Sequence, residues 1–173
     1  MNELVNRLDL AIRLVREAGE HVLGYYQNPG LVFESKPDHS PVTRADKEGE
    51  EIIRSVLETE CPADTIVGEE YPTKEGISDY TWYIDPIDGT ESFIRGVPLF
   101  GTMVAVERSG KPVIGAVYFP AIREIVYAAK GSGTYWATGV GRLPDALQTQ
   151  SAHVSAVSDV ADATLAMTGV NDL

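Results

Sequence analysis

Apolar residues recur at Leu4, Leu8, Ile12, Val15 and Val22, in steps of three, four and seven. That spacing lines one face of an amphipathic helix, which Asn28-Pro29-Gly30 then stops. Residues 31–35 read as extended, and KPDHSP over 36–41 as a polar, proline-rich loop. A second helix starts near Thr43, where Thr43 and Asp46 have the form of a capping box, with Asp in place of the usual Glu or Gln. Ile52, Ile53, Val56 and Leu57 give its apolar face, and Pro62 closes it. Thr65-Ile66-Val67 predicts a short strand running into Gly68-Glu69-Glu70. After a loop over 71–80, Trp82-Tyr83-Ile84 predicts a second strand, which delivers Asp85. Three further strands are predicted over 100–107, 112–119 and 123–129, the first two joined by the hairpin turn Arg108-Ser109-Gly110-Lys111. Helices followed by an antiparallel meander predict a layered α+β domain. From about 137 the composition is that of a loop, with a short helix over 158–163 and a strand opening at Leu165-Ala166-Met167.

Charge alters this picture in one segment. The 173 residues carry 14 Lys or Arg against 26 Asp or Glu, a net charge of −12. Residues 34–91 hold sixteen of the acids and only five of the bases. This balance disfavours a nucleic-acid partner, because phosphate backbones need clustered Lys and Arg, and it disfavours an anionic membrane surface for the same reason. The single cysteine, Cys61, cannot form an intrachain disulfide. Charges interrupt the apolar period of the first ten residues, unlike a signal peptide, and no apolar run reaches the length of a membrane span. The expected location is the cytoplasm.

The sharpest chemistry lies in Asp85-Pro86-Ile87-Asp88-Gly89-Thr90. Two carboxylates three residues apart at a strand end can converge on one point, with Pro86 fixing part of the backbone between them. Gly89 permits close approach to the main chain, and Thr90-Glu91-Ser92 can open a helix whose N–H groups suit a phosphate. If the strands ending at Glu69 and Asp85 lie side by side, Glu69, Asp85 and Asp88 form a three-carboxylate cluster. Oxygen ligands without His or Cys select Mg²⁺ or Mn²⁺ over Zn²⁺. Metals beside a phosphate cradle are the parts needed to transfer a phosphoryl group to water.

Gly68-Glu69-Glu70, the run Trp82 to Thr90, and SPVTRADKEGE over 40–50 together resemble the inositol monophosphatase superfamily of metal-dependent phosphatases. The resemblance runs from residue 1 to about 136. Within the superfamily, DPIDGTESFIRGVPLFGT is most similar to the histidinol-phosphate phosphatases of bacteria and plants. The resemblance implies the N-terminal half of a layered αβαβα sandwich, shared with fructose bisphosphatases. It implies two or three Mg²⁺ ions, replaceable by Mn²⁺, held by the carboxylates of Glu69, Asp85 and Asp88 and the backbone carbonyl of Ile87. Gly89 and Thr90 would hold phosphate through N–H groups, with Ile87 and Asp88 also lining the substrate. Glu69 and Thr90 would position the attacking water, with Asp46 behind Thr90, and Lys36 would sit on a loop over the site. The implied reaction is hydrolysis of a small phosphate monoester by metal-activated water, with histidinol phosphate first among substrates. Inositol phosphates and nucleotide 3′-phosphates are the alternatives. The implied partner is a small phosphorylated metabolite, and a homodimer is an open possibility for assembly.

One departure from the family pattern is large. Family members carry a second, α/β domain with a metal-binding Asp in a Trp-Asp pair, and the only Trp residues here are Trp82 and Trp136, neither followed by Asp. ADATLAMTG over 161–169 is similar to that domain's first strand. The expected division is therefore a metal- and phosphate-binding α+β domain over 1–136 and, over 137–173, a connection to a C-terminal domain that is absent. A metal- or phosphate-binding fragment without turnover is the rival reading. Four other features are read as ordinary. Arg95 is placed to pair with Glu91, Gly131-Ser132-Gly133 is a tight turn, His21 is a surface or packing residue, and Cys61 lacks the basic neighbours of a nucleophile.

Overall fold

The computed structural model describes residues 3–35, 41–140 and 148–164. The first apolar stripe forms α1 (Glu3–Leu23), which buries Leu10, Leu14, Val15, Ala18 and Val22. Phe33–Ser35 (β1) and Pro41–Thr43 (β2) pair antiparallel, and Thr43 caps α2 (Arg44–Glu60). The capping box forms as predicted: Thr43 Oγ1 accepts from the Ala45 N–H at 3.1 Å, and Asp46 Oδ2 accepts from the Thr43 N–H at 2.7 Å.

Seven strands follow and make one sheet in chain order. They are β3 (Thr65–Gly68), β4 (Tyr80–Asp88), β5 (Gly101–Arg108), β6 (Lys111–Phe119), β7 (Glu124–Ala129), β8 (Gly133–Thr138) and β9 (Gln148–Ser151), with the short helix α3 (Thr90–Ile94) between β4 and β5. β3 and β4 run parallel, and all other neighbours are antiparallel. α1 and α2 lie against the sheet, and Leu14, Ile53, Leu57, Ile66, Trp82, Val106 and Tyr118 fill the space between at full burial. Each large apolar side chain buried in this way contributes roughly 1.5–3 kcal/mol. A smaller core of Val22, Ala45, Ile87, Phe93 and Phe100 lies at the end of α1, with Tyr26, Phe93 and Phe100 in tilted or edge-to-face contact at ring separations of 5.0–6.0 Å.

The β3–β4 crossover over residues 69–79 contains no helix. It folds back on β3 instead: Lys74 exchanges two backbone hydrogen bonds with Ile66 at 2.9 Å, and the Gly76 N–H donates to Thr65 Oγ1. The buried Asp64 carboxylate anchors it by accepting from Arg7, Ser78 and Trp82. The loop thereby covers the outer edge of β3, which would otherwise present unpaired backbone groups.

The antiparallel run is longer than the sequence pattern predicts. β8 and β9 add two strands where the pattern implied a turn and a loop, and β8 crosses residue 136 without a break in the sheet. β9 reads Gln-Thr-Gln-Ser and has no apolar residue, so its strand character comes from the ladder with β8 alone. A 3₁₀ turn over Val160–Asp162 stands where a short helix was expected, and residues 165–167 lie outside the described residues. Among the described residues no helix is long and apolar enough to cross a membrane.

Candidate active site

The parallel register sets Gly68, the last residue of β3, opposite Ile84, so Glu69 emerges from β3 beside Asp85 of β4. β4 then departs from regularity: Asp85 pairs with Met103 but Asp88 with Gly101, so one extra residue is inserted between them. In an unbroken strand, residues three apart point to opposite faces. The bulge restores Asp88 to the side of Asp85, a use of bulges common beside functional sites. Pro86 sits in the bulge, where its missing N–H costs no ladder bond, and its carbonyl accepts from Thr102 Oγ1 at 2.8 Å. Asp85 Oδ1 accepts from the Ile87 N–H at 3.1 Å, which fixes its carboxyl over the bend.

Gly89 ends the bulge at φ +87°, and a Cβ there would lie 3.1 Å from the Leu99 carbonyl oxygen. The left-handed φ favours glycine, and the close carbonyl adds to the strain any side chain would meet. Gly89 offers no capping side chain to α3, so the first N–H groups of that helix are left for water or a ligand. Thr90 Oγ1 lies 3.0 Å from the Ile87 carbonyl oxygen and 3.3 Å from Asp46 Oδ1. The other oxygen of Asp46 is committed to the Thr43 N–H and hydroxyl. Asp46 is therefore both part of the helix cap and the partner of Thr90.

One stripe of α2 backs the whole site. Asp46 reaches Thr90, Gly49 lets the helix approach Pro86 (a Cβ there would be 2.9 Å from the Pro86 Cβ), and Glu50 lies under the Gly68-Glu69-Glu70 corner. Sequence reasoning missed Glu50. The signal was present: residues 46, 50, 53 and 57 fall on one helical face, so Glu50 is a carboxylate on the buried stripe.

Residues 3–170 match the inositol monophosphatase family. The chain belongs to that family. Its similarity to a histidinol-phosphatase of Chlorobaculum parvum is 43% identity over 128 residues, covering 74% of this chain and 49% of that protein. A histidinol-phosphatase of Mycobacterium tuberculosis is 34% identical over 164 residues, covering 95% and 61%. In three dimensions the chain is similar to the IMPase of Thermotoga maritima, with TM-score 0.71 and 33% identity over 76% of this chain and 51% of that one. The chain thus spans about half the length of these relatives.

For this inositol monophosphatase family member, the site concentrates negative charge at the shared end of β3 and β4. Burial raises the Asp85 carboxyl to about 7, and the negative charges of Glu69 and Asp88 add to the rise; the Ile87 N–H opposes it. Asp46 is also raised by burial, against the pull of its hydrogen bonds from Thr43 and Thr90. The expected three-carboxylate cluster forms only in part. The charges of Glu69 and Asp88 act on Asp85, but among the described residues no three acidic, His or Cys side chains close into a ready cage for an ion. The donors are carboxylates and a carbonyl, a set that fits a hard divalent cation. Glu69 and Asp88 are exposed and accessible to one, while the Ile87 side chain is buried and contributes only its backbone.

The remaining residues fall as follows. Lys36 lies outside the described residues. Arg95 Nε donates to Glu91 at 2.7 Å, the surface pairing expected. His21 sits 2.7 Å from Glu48 on the surface, and burial raises the Cys61 thiol away from nucleophilic character. Gly131 and Gly133 both take positive φ in the β7–β8 turn, as a tight turn requires.

Proposed function

We propose that this chain carries the metal- and phosphate-binding half of a Mg²⁺-dependent phosphatase acting on a small phosphate monoester. The observation that carries the reading is the register that sets Glu69 beside Asp85, together with the β4 bulge that turns Asp88 to the side of Asp85 next to the Gly89-Thr90 turn. Glu69, Asp85, Asp88 and the Ile87 carbonyl would hold the ions, with Mn²⁺ an acceptable substitute. Bound metal would acidify the attacking water and neutralise charge on the phosphoryl oxygens. The chain's own residues do the rest. The Gly89 and Thr90 N–H groups orient the phosphate, and donors fixed before reaction favour the charge that builds on it. Thr90, held by Asp46 and Ile87, positions the water, and Asp46 can accept the Thr90 proton.

Histidinol phosphate is the leading substrate, on the histidinol-phosphatase relatives and the SFIRGVP run after Thr90. Inositol monophosphate and nucleotide 3′-phosphates are the competing substrates. A second reading, metal or phosphate binding without turnover, is favoured by the lack of a closed three-ligand cage among the described residues. Phosphate release from histidinol phosphate, inositol monophosphate and a 3′-phosphonucleotide, with and without Mg²⁺ and with Asp88→Asn in parallel, separates these. Mg²⁺-dependent release lost in Asp88→Asn supports the phosphatase. Equal background in both supports binding without turnover, and preference for inositol phosphate overturns the histidinol assignment.

A further inference from the structure

We propose that Glu50, with Arg54 as its counter-charge, is a positioning residue that sets Glu69 for metal binding; the inference rests on the metal reading of the site above. Glu50 is fully buried, and yet it is a carboxylate. Removing such a group from water is costly, and an apolar residue would serve stability better unless the charge has a task.

The geometry points to that task. Glu50 Oε2 accepts from the Glu70 N–H at 2.7 Å, and Oε1 accepts from the Tyr71 N–H at 3.3 Å. On the other side of Glu69, a Cβ on Gly68 would lie 1.9 Å from Glu50 Oε1. The carboxylate thus occupies the space that a side chain at 68 would need, and it holds the backbone just after Glu69. Glu69 is bracketed on both flanks by one buried group. Arg54 Nε donates to Glu50 Oε1 at 2.6 Å, and its Nη2 donates to the Tyr71 carbonyl at 3.1 Å.

This pairing does two things. It closes a ring through Glu50, Arg54 and Tyr71 that fixes the corner in one conformation. It also cancels the Glu50 charge, so that the support adds no net negative charge beneath carboxylates that already repel one another. Helix α2 therefore presents two carboxylates to the site from one stripe, Asp46 toward Thr90 and Glu50 toward the Glu69 corner, one turn apart.

The test uses the full chain and Mn²⁺ alone, with free ion measured by electron paramagnetic resonance and amide exchange followed residue by residue. Glu50→Gln keeps the length and volume but has one acceptor oxygen where two are used. Its expected Mn²⁺ affinity is lower by about 10–100-fold, the range for groups that orient metal ligands. Glu70 and Tyr71 amides should exchange faster, while those near Asp85–Asp88 keep wild-type protection. Should Glu50→Gln fail to fold, Glu50→Asp decides, since it retains the charge for Arg54 while withdrawing from the Glu70 N–H; the same loss is expected. A purely structural role would lower the urea midpoint and leave Mn²⁺ affinity of the folded protein unchanged, and that result overturns the proposal. A wild-type chain that binds no Mn²⁺ overturns the metal reading itself, and this inference with it.

Discussion

Asp46 ties the start of helix α2 to Thr90: one carboxylate oxygen closes the helix cap on Thr43, and the other lies 3.3 Å from the Thr90 hydroxyl. That hydroxyl has one proton and two acceptors in reach, Asp46 and the Ile87 carbonyl. A cation drawing on the Ile87 carbonyl would leave Asp46 as its acceptor.

Asp46→Ala and Thr90→Val should therefore separate stability from function. Asp46→Ala loses a buried cap and should lower unfolding free energy by about 1–2 kcal/mol. Thr90→Val leaves the α2 cap intact and should cost under about 1 kcal/mol. Both should reduce Mg²⁺-dependent phosphate release by on the order of 10²–10⁴-fold if Thr90 and Asp46 act together in proton handling. Urea midpoints and release rates on the same preparations check this.

Asp85 gives a pH signature in metal-free protein. Its carboxyl titrates near 7 folded and near 3.8 unfolded. Between those values the folded state keeps a proton that the unfolded state has released, so this group's contribution to stability falls as pH rises from about 4 to 7. Asp85→Asn removes the penalty. The variant should be more stable than wild type at pH 8, by about 1–2 kcal/mol after allowing for partial solvent screening, and the difference should vanish near pH 4. Paired urea titrations at the two pH values measure it.

Gly89→Ala tests the turn. At φ +87° with the Leu99 carbonyl 3.1 Å from the new Cβ, alanine should cost about 1–3 kcal/mol. It should also weaken inorganic phosphate binding, because the Gly89 and Thr90 N–H groups would be displaced. Thermal melts with and without phosphate read both effects.

The sequence made β3, the centre of β4, the Gly89-Thr90 turn and the capping box readable, because each is a local pattern of apolar residues or turn chemistry, but β4 runs on to Asp88 where the pattern ended it at Ile84. It did not make the β4 bulge readable, although Pro86 inside a strand is the mark of one. Without the bulge, Asp85 and Asp88 would face opposite ways. Glu50 escaped notice because a buried carboxylate looks like surface charge until its helical face is counted. β8 is partly exposed on both faces and β9 is wholly polar, so neither carries the alternation that marks a strand; the ladder with β7 creates β8, and the ladder with β8 creates β9.

The most direct measurement is a calorimetric titration of the wild-type chain with Mg²⁺ in buffers of different ionisation enthalpy. At pH 6.5 Asp85 is about three-quarters protonated, so a site made of Glu69, Asp85 and Asp88 should release most of one proton on binding Mg²⁺, and almost none at pH 8.5. Asp85→Asn should bind more weakly and release none at either pH. Absence of Mg²⁺ binding, or binding with wild-type affinity and proton release in Asp85→Asn, would contradict the assignment of these carboxylates as the metal site.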